Sequence, residues 1–95
     1  MVKGDDQMTE TTIKEFTRKY IQKTECVLKE LRIFRNPSHF DEKSISVVIE
    51  EGKRYLEDAK YYFDKERFET SLASIAYCEG VLDALKILKL VDFSW

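Results

Sequence analysis

The amino-acid sequence predicts an all-α fold: a three-helix, up-down-up antiparallel bundle with a short, extended, apolar C-terminal tail. Three observations carry that expectation. Apolar residues recur at helical spacing in three stretches, one before Pro37, one after it and one after Arg67. The links between these stretches are only a few residues long, as antiparallel neighbours require. Alternation with a period of two, the mark of extended chain, appears only at the end, where Val91, Phe93 and Trp95 interleave with Asp92 and Ser94.

Residues 1–8 read as a disordered head, residues 9–90 as the bundle, with helices at about 10–35, 40–65 and 68–89, and residues 91–95 as the tail. In helix one, Thr12-Ile-Lys-Glu15 matches a capping box. The stripe that follows is Ile13, Phe16, Tyr20, Thr24, Val27, Leu31 and Phe34, widened by Ile21 and Leu28. Asn36-Pro37 ends this helix, because the residue before a proline is driven out of the helical region. Ser38-His-Phe-Asp41 is a second capping-box match and opens helix two. Gly52 and Ala59 are seven apart on one face of that helix, which invites close approach of a neighbour, and Gly80 is the small residue of helix three. Lys65-Glu-Arg67 is a tight link without Gly or Pro.

Composition narrows the function classes. The 95 residues are 36% charged and 43% hydrophobic, the mix of a single soluble domain. One Asn and two Gln against many Glu and Lys is the bias of proteins from hot environments. Apolar runs are far shorter than the roughly 20 residues of a membrane span, and Met1–Met8 lacks the apolar stretch of a signal peptide. The expected location is the cytoplasm. Residues 9–35 carry seven Lys/Arg against four Glu, and residues 41–66 carry five against eight acids, which predicts complementary packing of helices one and two. Glu25 interrupts the basic row Lys14, Arg18, Lys29, Arg32, which argues against a phosphate-tracking nucleic-acid face. Cys26 and Cys78 stand alone, without ligands at metal spacing, and read as buried, inert thiols, with an interhelical disulfide left open. His39, the one histidine, reads as a surface residue at the start of helix two.

The candidate functional residues lie on helix three. Its stripe is Phe68, Leu72, Ile75, Glu79, Leu82, so a carboxylate stands among apolar positions and is expected to be buried and hydrogen-bonded to helix one or two. Asp83 lies one turn on and Tyr77 two residues before. Two helices offering acids can hold a divalent cation, but such sites need several inward acids in an ordered pattern. Here the pair is Glu79-x-x-x-Asp83, with no Glu-x-x-His. No cofactor or metal is implied.

The stretch Tyr77-Cys-Glu-Gly-Val-Leu-Asp-Ala-Leu85, preceded by Tyr55-Leu-Glu-Asp-Ala-Lys-Tyr-Tyr-Phe63, resembles an archaeal family of small helical proteins, domain-of-unknown-function family 357, over about residues 10–92. That resemblance implies a three-helix bundle, found alone or after a cytidylyltransferase-like domain, with no catalytic residues to carry over. The hairpin is also similar to HEPN helical domains, many of which are ribonucleases. Their catalytic Arg and His are four to six residues apart, whereas Arg35-Asn-Pro-Ser-His39 has three between them and lies in a loop.

Two function classes follow. One is a non-catalytic interaction or oligomerisation module, either a homodimer or an accessory to a nucleotidyltransferase. Its motive is an apolar surplus: Ile21 and Leu28 on helix one, and Ala73, Ala76, Tyr77, Val81 and Ala84 on helix three. Val91, Phe93 and Trp95 are the candidate interface of the tail, which packs either in its own bundle or on a partner. The other class is a divalent-metal-dependent, nucleotide-binding or hydrolysing enzyme acting through Glu79 and Asp83.

Overall fold

The computed structural model describes residues 10–34 and 41–95. The expected head, the helix-one end at Asn36-Pro37, the Ser38 capping box and His39 lie outside the described residues. Three helices, α1 (Glu10–Glu30), α2 (Glu42–Asp64) and α3 (Phe68–Ile87), form the bundle. Two short strands, β1 (Arg32–Ile33) and β2 (Val91–Asp92), pair antiparallel, with Arg32 opposite Asp92 and Ile33 opposite Val91. The N-cap of α2 is Asp41, whose carboxylate accepts a 2.8 Å hydrogen bond from the Ser44 amide, an arrangement that holds the carboxyl below its ordinary value.

Helix α1 stops five residues short of the expected end. Leu31 makes the last helical hydrogen bond, to the Val27 carbonyl, and the chain then turns extended. The reason lies at the other terminus, where β2 offers a ladder partner and the Phe34 amide donates to the Leu90 carbonyl. The exposed side of α1 also differs from expectation. Its buried residues are Thr17, Ile21, Thr24, Val27 and Leu28, whereas Phe16 is 41% exposed. Ile21 and Leu28 therefore belong to the core and are no surplus for a partner. Thr17 and Thr24 bury hydroxyls that find no hydrogen-bond partner.

Both α2 and α3 end in Schellman motifs built without glycine. After α2, Glu66 is left-handed (φ 62°), its amide donates to Phe63 and the Arg67 amide to Tyr62. After α3, Lys89 is left-handed (φ 61°), its amide donates to Lys86 and the Leu90 amide to Leu85. The second motif turns the chain back so that Leu90, Val91 and Phe93 are buried, Val91 at 1% exposure. A non-glycine residue in this conformation costs roughly 1 kcal/mol. Lys89→Gly is accordingly expected to raise the melting temperature by several degrees, and an unchanged or lower value in a thermal melt would contradict the strain.

The core combines Ile45, Ile49, Leu56 and Ala59 of α2 with Ile75, Cys78, Leu82 and Leu85 of α3, and α1 leans more on α3 than on α2. The molecule is flat, 49 × 31 × 17 Å. Across α1 and α2, Lys60 pairs with Glu25, which lowers the Glu25 carboxyl and raises the Lys60 ammonium. This link runs from an acid on α1 to a base on α2, opposite to the net charges of the two helices. Buried Gly52 faces α3, where a Cβ would lie 3.6 Å from Val81 and 3.9 Å from the Cys78 sulfur. Ala59 is fully buried, and its carbonyl accepts a 2.6 Å bond from the Ser71 hydroxyl. Gly80 is not a close-packing residue: nothing lies within 4 Å of a Cβ built there, because it points away from both neighbouring helices.

Candidate functional site

Ser71, Ile75, Cys78 and Leu82 define the buried centre of α3, so Glu79 lies at its edge, turned toward α1. Its side chain is 23% exposed, and its Oε2 is 3.7 Å from the Nζ of Lys23. That separation makes an ion pair but not a hydrogen bond, and Oε2 is buried without a hydrogen-bond partner. The Lys23 ammonium also lies over two rings, 4.6 Å from the Tyr20 centroid and 5.0 Å from that of Trp95. Trp95 Nε1 donates a 2.8 Å bond to Asp83, and its ring meets Phe93 edge-on. One lysine thus ties α1 to α3 and to the last residue of the tail.

Burial pushes the Glu79 carboxyl above its ordinary value; Lys23 pulls it back, and Asp83 adds to the rise. Burial, reinforced by Glu79, pushes the Cys78 thiol up to about 12, which keeps it unreactive. Cys26 is exposed rather than buried as expected, because the inner side of α1 runs through Thr24, Val27 and Leu28, and both cysteines are free. Because the folded carboxyl titrates above the unfolded one, the native state binds more protons between the two values. Stability from this group therefore falls as pH rises through that window. Glu79→Gln is expected to unfold at higher urea than the parent at neutral pH, with the advantage fading below the ordinary carboxylate value. An advantage equal at both pH values would assign the effect to packing of the amide instead.

Glu79 and Asp83 do not converge on a common point. The first faces an ammonium and the second an indole N–H, and among the described residues no group of three His, Cys, Asp or Glu side chains could hold a metal ion. Glu50 and Glu51 on α2 pair along their own helix with Lys53 and Arg54. Lys23, Glu79, Asp83 and Trp95 together form a latch for the tail.

Tyr77 is not buried: it is 65% exposed and stacks on Tyr55 of α2 at 5.4 Å. It belongs to the outward side of α3, with Ala73, Ala76, Gly80, Asp83, Ala84 and Ile87, all of them exposed. Beside this face, between α2 and α3, runs an apolar groove of about 440 Å³ lined by Val48, Val81, Ala84, Leu85 and Leu88 among others. Val91 and Phe93, expected to pack either in a groove of their own bundle or on a partner, are buried within the chain itself, because the Lys89 turn folds them back; Trp95 stays 39% exposed. Sequence reasoning missed Lys23, Tyr55 and the groove. Lys23 read as one more base on a basic helix, and only the position of α3 shows which lysine meets Glu79.

No curated protein and no solved structure matches the chain. A family model described as a protein of unknown function, DUF357, matches residues 19–91. The match covers the second half of α1, all of α2 and α3 and both residues of the Lys23–Glu79 pair, and the chain belongs to the DUF357 family.

Proposed function

We propose that this protein is a non-catalytic interaction module that docks a protein partner on the outward face of its α2–α3 hairpin. One observation carries the reading: apart from a charged flank at Glu79, Asp83 and Lys86, α3 is apolar or small on its outward side as well as its buried one, and the outward side, with Ala73, Ala76, Tyr77, Gly80, Ala84 and Ile87, is uncovered. An apolar helix face is ordinarily covered by a neighbour. Val48, Ile87 and Leu88 extend the uncovered surface at 40%, 77% and 57% exposure, a contiguous patch of the type that marks a binding surface. Glu69 at one end and Asp83 at one edge are the charged side chains of this side and the rest of it is apolar or small, so the chemistry favours an apolar protein surface. The resemblance to a family found beside cytidylyltransferase-like domains makes a nucleotidyltransferase the heteromeric partner to test first.

Ala84→Arg tests the reading, since it sets a cation in the groove at an exposed position that the fold does not need. Tagged parent chain is expected to draw a defined complex from extracts of its source cells, and the variant is expected to lose it while keeping its melting temperature. A complex indifferent to Ala84→Arg would place docking elsewhere and end the proposal.

A further inference from the structure

We infer that the occupant of this face is a second copy of the chain, whose α3 runs antiparallel across the first about a two-fold axis at Gly80. The inference rests on the docking reading above and identifies its partner. Gly80 is at the centre of the uncovered side: at about 100° per residue, Ala73, Ala76, Tyr77, Asp83, Ala84 and Ile87 all fall within about 60° of it.

The two halves of that face have different shapes. On the side next to α2, the stacked Tyr55–Tyr77 pair stands at one end and the groove beside Val48, Ala84 and Leu88 opens at the other. Tyr77 and Ala84 lie on opposite sides of Gly80 by about 4.5 and 6 Å along the helix. Gly52 marks the same level on α2, since it faces Cys78, Val81 and Leu82. A two-fold axis lying between the copies, perpendicular to α3 at that level, brings each aromatic pair over the other copy's groove. The same rotation sets Tyr77 opposite Ala84, Ile87 opposite Ala73 and Asp83 opposite Ala76 of the second copy. Bulk meets hollow in each pairing, and the two Asp83 carboxylates stay on separate sides of the axis. Gly80 meets Gly80, where the open space around it allows close approach. This is the self-complementary pattern an isologous interface requires.

Cross-linking tests the geometry in a Cys26→Ser background, which removes the exposed thiol. Gly80→Cys is expected to give a disulfide-linked dimer under mild oxidation. Ile87→Cys is expected to remain unlinked, because the two copies of residue 87 lie about 20 Å apart along antiparallel helices. Light scattering on the reduced parent chain should show a dimer that Ala84→Arg converts to a folded monomer. Equal linking at both positions would overturn the antiparallel two-fold. A monomeric parent at every concentration would overturn the second copy as occupant. If an Ala84→Arg-sensitive complex still forms in extracts, the docking reading survives that result with a different partner; if none forms, both readings fall.

Discussion

Deletion of residues 91–95 is expected to destabilise the fold by about 3–6 kcal/mol, because it exposes the surfaces that Val91 and Phe93 cover and each buried apolar side chain contributes roughly 1.5–3 kcal/mol. The loss reaches further than those two side chains. It removes the ladder opposite Arg32 and Ile33 and the indole that the Lys23 ammonium faces. With native stability of typically 5–15 kcal/mol, the truncated chain should unfold at far lower urea. Truncation also separates two roles for the tail. If it acts only within its own subunit, the deletion lowers the urea midpoint without changing how the remaining folded chains associate. An unchanged midpoint would mean that the burial of Val91 and Phe93 contributes nothing to folding, and the latch built around Lys23 would lose its purpose.

How far such features can be read from the residues alone depends on whether their cause is local. Helical spacing along Ile45, Val48, Ile49, Gly52, Tyr55, Leu56, Ala59, Tyr62 and Phe63 marks the inner side of α2 without outside information; Ile45, Ile49, Gly52, Leu56 and Ala59 are buried, whereas Val48 is 40% exposed. Alternation at Val91 and Phe93 similarly identifies an extended segment with one buried side. The end of α1 has no local cause. Leu31 and Phe34 continue a helical stripe, and it is a strand at Val91, far along the chain, that draws Arg32 and Ile33 into a ladder. The rotation of α1 is of the same kind. Phe16–Tyr20 and Thr17–Ile21 offer adjacent faces, and the position of α3 selects the second although it contains two threonines. For Glu79 the stripe was one position off: centring α3 on Cys78 and Leu82 moves the carboxylate to the edge, beside Lys23. Sequence periodicity also recognised α3 as apolar on several sides. It could not show which side remains open, because that depends on how two other helices are placed.

Gly52 yields the second large effect, and its sign changes with the size of the replacement. At this position α2 presents a bare backbone to Cys78, Val81 and Leu82, and the residue is buried. An added Cβ would sit 3.6 Å from Val81, an ordinary contact that displaces nothing. Gly52→Ala is therefore expected to stabilise, since it recovers the roughly 1 kcal/mol by which glycine weakens a helix interior and fills space already available. Gly52→Leu carries three more carbons into the same interface. They would meet Val81, Cys78 and Leu82, of which Cys78 and Leu82 are fully buried and have no room to retreat. Overpacking of this kind costs typically 1–3 kcal/mol, so the leucine variant should fall below the parent in urea midpoint while the alanine variant rises above it. A leucine variant as stable as the parent would show that α2 and α3 can separate at this level without loss. The placement of the outward α3 face, which depends on how closely the hairpin is held at Gly52, would then have to be redrawn.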